Sequence, residues 1–218
     1  MKPRSRGADV PCLERSRESA ADPRDTSTRL LCDYARERGR SAFVRVVTPA
    51  ATWEGGVAAD EPHPAASLLK LPLALATEQA FAAGSLDPGT TVAVESLETG
   101  GRGPQPLRVL RPGLLLTAAD MLGLSLSLSN RPCATWLLDR VGIAAVRRVV
   151  ASLGCEATSV RADRRAPGAP LVGRTTARDA LRLLAAAQDA ARSPLTAHAL
   201  RNTVHNSRIP LGVDDRDV

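Results

Sequence analysis

The chain has 218 residues, enough for one large domain or two small ones, and 44% of them are hydrophobic, so a sizeable core can form. Aromatic residues make up only 2%, which leaves Ala, Leu and Val to fill that core. The formal charge is +6, but the arginines are spread along the chain beside Asp and Glu with no aromatic interleaving, so the charge does not read as a nucleic-acid interface.

Residues 1–26 are charged and carry Pro, Ser and Arg, the composition of a disordered tail. They contain no apolar h-region, and no run of 18 apolar residues follows anywhere, so as written the chain reads as cytoplasmic with no membrane span. The folded domain is expected over 27–218. It opens with a helix that Ser27 or Thr28 can cap, with Leu30, Leu31 and Tyr34 on one stripe up to Gly39. "SAFVRVVTP" follows as a strand candidate closed by Pro49, and "ATWEGGVAAD" is its hairpin partner, weakened by two glycines.

Residues 66–83 read as a helix ending at Gly84, and Pro72 inside it demands a kink or a start close to Ser67. Residues 85–113, rich in Gly and Pro, read as loops with short extended pieces. Thr117 and Asp120 stand three apart, the spacing of a capping box, so a helix is expected to start there. A second begins near Arg131 and stops at Gly142, and a third, "IAAVRRVVASLG", stops at Gly154. "TTARDALRLLAAAQDAARS" carries Leu181, Leu184 and Ala187 at helical spacing. The expected balance is therefore helical, with two strands at the front.

Metal and redox chemistry find little support. Cys12, Cys32, Cys133 and Cys155 include no C-x-x-C pair, and His63, His198 and His205 lie far apart. The cysteines read as small buried thiols, and no cofactor is expected.

One stretch does point to chemistry. Lysine occurs twice, as Lys2 in the tail and as Lys70 among Leu68, Leu69, Leu71 and Leu73. An amine held among leucines loses hydration, which disfavours its charged form and lowers its pKa. Ser67 stands three residues earlier, and positions i and i+3 of a helix share a face, so the two are expected to touch. A neutral amine can take a serine proton, which activates the hydroxyl for acyl-enzyme chemistry. The alternatives are a chance S-x-x-K with the lysine snorkelling to solvent, and, for Ser129, a simple helix cap.

"ASLLKLPL", "LTAADMLGLSLSLSNRPCATWLLDRVG" and "TTARDALRLL", in this order and spacing, resemble the class A serine β-lactamases and their penicillin-recognising relatives. The resemblance covers residues 27–213. It implies an α/β fold: a mostly helical subdomain plus an antiparallel sheet, incomplete here and represented by the N-terminal hairpin. It also implies that Ser67 is the nucleophile, Lys70 its base and Ser129 the proton relay to the leaving nitrogen. The family's S-D-N falls on Ser129, Asn130 and Arg131, so Asn130 and Arg131 are the implied substrate-binding residues. Arg131 replaces an asparagine with a larger group that cannot accept a hydrogen bond. The expected partner is a small molecule, a β-lactam or a related ester or amide, bound by a monomer. Family members are usually exported, which this N-terminus does not suggest.

Two further departures bear on turnover. "DRRAPGAP" places Ala166 and Gly168 where the family's omega-loop glutamates fall, and alanine cannot activate the water that frees an acyl-enzyme. "NSRIPLG" resembles the approach to K-T-G, but no lysine follows Lys70, and truncation ahead of that strand is expected. Weak or absent deacylation follows. The other classes weighed are a non-catalytic penicillin-fold remnant that binds a ligand, and a peptidase or esterase of secondary metabolism.

Overall fold

A computed structural model describes residues 40–97, 106–163 and 170–204, together with Arg29, Leu31 and Asp33. Those three are helical, in keeping with the helix expected at 27–39. The rest of that helix, the tail at 1–26, Cys12, Cys32, Ala166, Gly168 and the "NSRIPLG" segment lie outside the described residues.

The front hairpin expected from the sequence forms. Strand β1 (Ala42–Val47) pairs antiparallel with β2 (Thr52–Val57), Ala42 opposite Val57 and Val47 opposite Thr52. Thr48 closes the turn on Ala51 through both its amide and its hydroxyl. The glycines that weaken β2 on propensity have a steric reason at Gly56. A Cβ there would stand 2.4 Å from the Ala42 carbonyl oxygen.

The structure adds two small antiparallel sheets. Strand β3 (His63–Pro64) pairs with β7 (Leu171–Thr175), which also pairs with β6 (Ser159–Ala162), in the order β3-β7-β6. Strands β4 (Thr91–Ala93) and β5 (Leu115–Thr117) form the other. All are two to five residues long, so each leans on the helices for stability.

Helix α1 (Lys70–Ala82) runs through the centre, preceded by a 3₁₀ turn at Ala66–Leu69. Every residue from Lys70 to Glu78 is buried. A helix enclosed on all sides needs no polar stripe, which is why this stretch reads as a continuous apolar run. Pro72 sits in the first turn of α1, where a missing N–H costs little, so it marks the start of the helix as expected.

The capping box at Thr117 and Asp120 is present in both directions and starts α2 (Ala118–Ser127). Next, α3 (Arg131–Ser152) spans the two helices expected from sequence; they are joined at a kink where Gly142 has φ 75° and ψ 151°. That backbone state is open to glycine and strained for other residues. Then come α4 (Ala177–Gln188) and α5 (Pro194–Arg201). Helix α1 packs chiefly on α3 and also on α4, while α2 packs on α3 and α5. The core between them is aliphatic: Leu69, Leu73, Met121, Leu122, Leu137, Val146 and Leu183 are fully buried.

The inward face of α4 differs from the stripe read in the sequence. Asp179, Leu183 and Ala187 point inward, and Leu181 and Leu184 are half-buried at its flanks. Two buried carboxylates fasten this side. Asp179 accepts from the Ala157 amide at 3.1 Å and the Thr158 hydroxyl at 2.9 Å. Glu78 of α1 accepts the Thr196 amide at 2.8 Å, satisfying a first-turn donor of α5 that no local cap reaches. Among the described residues no helix is long and apolar enough to cross a membrane.

Candidate active site

The segment that carries Ser67 is aimed by its neighbours. The Ala65 amide donates to the Gly173 carbonyl at 3.0 Å, which ties the chain to β7 immediately before the turn. Ala66 then adopts φ 47°, a left-handed state uncommon outside glycine, and redirects the backbone into the 3₁₀ turn. Ser67 emerges exposed on that turn, Leu69 points into the core, and Lys70 is only 5% exposed at the head of α1.

Ser129 comes from the turn between α2 and α3. It also adopts a left-handed backbone, φ 50°, and its amide donates back to the Leu126 carbonyl at 3.2 Å. The cap of α3 is Asn130, whose side-chain oxygen accepts the Cys133 amide at 3.1 Å. Ser129 is therefore not the helix cap, and its hydroxyl is left for other contacts.

Those contacts are with the S-x-x-K pair. The Lys70 ammonium donates to the Ser129 carbonyl at 2.5 Å and to its hydroxyl oxygen at 2.8 Å. The Ser129 hydroxyl lies 3.1 Å from the Ser67 hydroxyl. The direct contact between Lys70 and Ser67 expected from i,i+3 spacing is thus replaced by a line of three with Ser129 in the middle. The 3₁₀ turn accounts for part of this: Ser67 lies outside the α-helical geometry that the expectation assumed.

Burial pushes the Lys70 pKa down from its ordinary value to about 8, and the nearby Arg131 charge acts in the same direction. A Cys133 thiolate would oppose it, but burial holds that thiol up at about 12, so it is uncharged at neutral pH. About a tenth of the amine is then neutral at pH 7. With the amine charged, hydrogens point from Lys70 toward the serines. With it neutral, both hydroxyls can turn round, Ser67 donating to Ser129 and Ser129 to the nitrogen.

The structure brings Ser67, Lys70 and Ser129 together. Asn130 is buried with its oxygen committed to the α3 cap, and Arg131 sits half-buried at the first residue of α3. Ser67, Lys70 and Ser129 line a cleft of about 470 Å³, within the range of small-molecule sites. Leu126, Leu184 and Leu200 also line it, and sequence reasoning missed all three. Leu126 had a faint signal, one turn before Ser129 in "SLSLSLSN"; Leu184 and Leu200 had none, because their place in the wall depends on how α4 and α5 pack. Among the described residues no cluster of His, Cys, Asp and Glu could hold a metal ion.

The sequence profile described as the beta-lactamase enzyme family matches residues 28–218. The chain belongs to that family. Its fold is shared with solved β-lactamases and penicillin-binding proteins. A β-lactamase from Chitinophaga pinensis DSM 2588 superposes with a TM-score of 0.70 at 16% identity, covering 90% of this chain and 76% of that one. A β-lactamase from Sphaerobacter thermophilus DSM 20745 gives 0.62 at 23% identity, covering 81% and 68%. A variant of PBP-A, solved as an acyl-enzyme complex with penicillin G, gives 0.63 at 20% identity, covering 86% and 72%. The chain thus spans roughly two thirds to three quarters of the length of these structures. No protein of curated function matches it.

Proposed function

We propose that this β-lactamase-type serine hydrolase is acylated at Ser67 by β-lactams or related activated carbonyls, and that the acyl-enzyme is released slowly or not at all. The observation that carries the reading is the hydrogen-bonded line Lys70–Ser129–Ser67 at the lip of a cleft, headed by an amine whose pKa lies near 8. Ser67 attacks the carbonyl carbon as its proton passes to Ser129, and the Ser129 proton passes to the neutral Lys70 amine. The lysine proton returns through Ser129 to the leaving nitrogen or oxygen. General-base help of this kind is worth about 10²–10⁴-fold in rate.

Slow release rests on the sequence. Ala166 and Gly168 stand where the resemblance places water-activating glutamates, and neither side chain can deprotonate water. A variant of PBP-A, of the same fold, has been solved as an acyl-enzyme complex with penicillin G.

The test is intact-protein mass spectrometry after exposure to penicillin G, with nitrocefin turnover in parallel. A persistent adduct on wild type, mapped to Ser67 and missing from Ser67→Ala, is the expected result. No adduct and no turnover would remove the nucleophile role. Rapid nitrocefin turnover by wild type would keep that role and overturn the persistence.

A further inference from the structure

Among the described residues, the cleft beside Ser67 is walled almost wholly by hydrocarbon. Leu71 of α1, Leu126 of α2, Leu184 of α4 and Leu200 of α5 line it, with Leu68 at its edge, 43% exposed. The polar side chains that line it are Ser67, Lys70, Ser125 and Ser129. Three of these form the relay. The Ser125 hydroxyl is occupied within its own helix, donating to the Leu122 carbonyl at 2.8 Å. Among the described residues, the lining therefore offers no carboxylate, amide or guanidinium side chain to meet a polar substituent. A polar group pushed into such a wall would leave its water unreplaced, at a cost of roughly 1–3 kcal/mol for each unmet hydrogen bond.

We propose that the preferred acyl donor of Ser67 carries an unbranched aliphatic chain, which places the substrate among the activated esters of medium-chain alkanoic acids. The inference rests on the reading of Ser67 as nucleophile and names the acyl group that the nucleophile accepts. The volume of about 470 Å³ accommodates a chain of roughly six to ten carbons lying against the leucines. The reaction is an exchange at one carbonyl. A bond forms between the Ser67 oxygen and the acyl carbon, the bond from that carbon to the alkoxy oxygen breaks, and the serine proton leaves on the alcohol after passing through Ser129 and Lys70. No oxidant, reductant or further reactant enters.

Two measurements separate this inference from the reading beneath it. In the first, Ser67→Ala is titrated calorimetrically with acetate, hexanoate and decanoate, which asks about the cleft without the chemistry. In the second, wild type is mixed with p-nitrophenyl acetate, hexanoate and decanoate, and the burst of nitrophenolate and the mass of the acyl-enzyme are followed. Each buried methylene contributes up to about fourfold. Decanoate is expected to bind at least tenfold more tightly than acetate, and the burst to be at least tenfold faster with the decanoate ester. Leu184→Phe, which fills the inner wall, is expected to slow the decanoate burst more than the acetate burst. Equal affinities, or a burst that is flat or falls with chain length, would overturn the aliphatic preference while leaving Ser67 as nucleophile. Tight binding of decanoate with no burst from any ester would keep the preference of the cleft and remove the nucleophile.

Discussion

The front hairpin and the helical block around α1 are built on opposite principles. In β2 side chains alternate between exposed and half-buried, β1 buries only Ala42, and Val47 is 69% exposed. In α1 nine consecutive residues are enclosed. Arg178 of α4 is one fastening of the hairpin: its guanidinium lies 4.4 Å from the centre of the Phe43 ring and forms an ion pair with Asp60 at 2.7 Å. The site draws its parts from the enclosed block and the turns that lead into it. A lysine can be kept partly neutral at pH 7 only where water is excluded, so the lowered pKa follows the burial.

The sharpest way to break this contrast is at the middle of the relay. Ser129→Ala is expected to slow acylation by a fluorescent penicillin about 10²–10⁴-fold, with a far smaller change in melting temperature. A near wild-type rate would mean that Lys70 acts on Ser67 without an intermediary. Next in size is the core itself. Leu69→Ala, fully buried one residue ahead of Lys70, is expected to cost about 2–5 kcal/mol by urea unfolding. Val47→Ala on the hairpin is expected to stay within about 0.5 kcal/mol. Similar values for the two would abolish the distinction.

Lys70→Met tests the burial from the other side. The folded amine gives up its proton near pH 8 and the unfolded one near 10.5, so below pH 8 the folded state carries the full desolvation penalty. Between those values the unfolded state holds more protons, and the contribution of Lys70 to stability rises with pH. The variant is expected to be more stable than wild type at pH 7 by roughly 1–3 kcal/mol, and the difference to shrink as pH climbs from 8 toward 10.5. Acylation by wild type should rise with pH through about 8. The smallest effect on acylation is expected from Arg178→Ala. Removing an exposed ion pair and a ring contact should cost about 1 kcal/mol or less, read as faster amide exchange over residues 42–57 with the acylation rate changed less than about twofold.

What could be read from the sequence divides along the same line. Thr117 with Asp120, Pro72 and Gly142 each act within one turn of backbone, and each marks a helix boundary or kink in the structure. Strands β3, β6 and β7 went unread because two to five residues with a Pro, a Gly and arginines carry no alternation strong enough to see; their pairing is decided by distant segments. Helix α5, eight residues long, takes part of its capping from Glu78, well over a hundred positions earlier. At the site, the lone lysine among leucines correctly announced a depressed pKa, since that depends on local apolar density. The partner of the amine was misjudged, because inserting Ser129 between Lys70 and Ser67 requires the α2–α3 turn to fold over the head of α1.

That turn has a consequence for how such a protein would drift. Ser129 holds a backbone state that costs a non-glycine residue about 1–3 kcal/mol, and it does so while presenting both its oxygens to the lysine. Selection for heat resistance alone would favour glycine there, since glycine adopts that state freely. A lineage that took glycine there would therefore lose the Ser129 hydroxyl beside Lys70 while the fold became sturdier, trading a polar contact for durability.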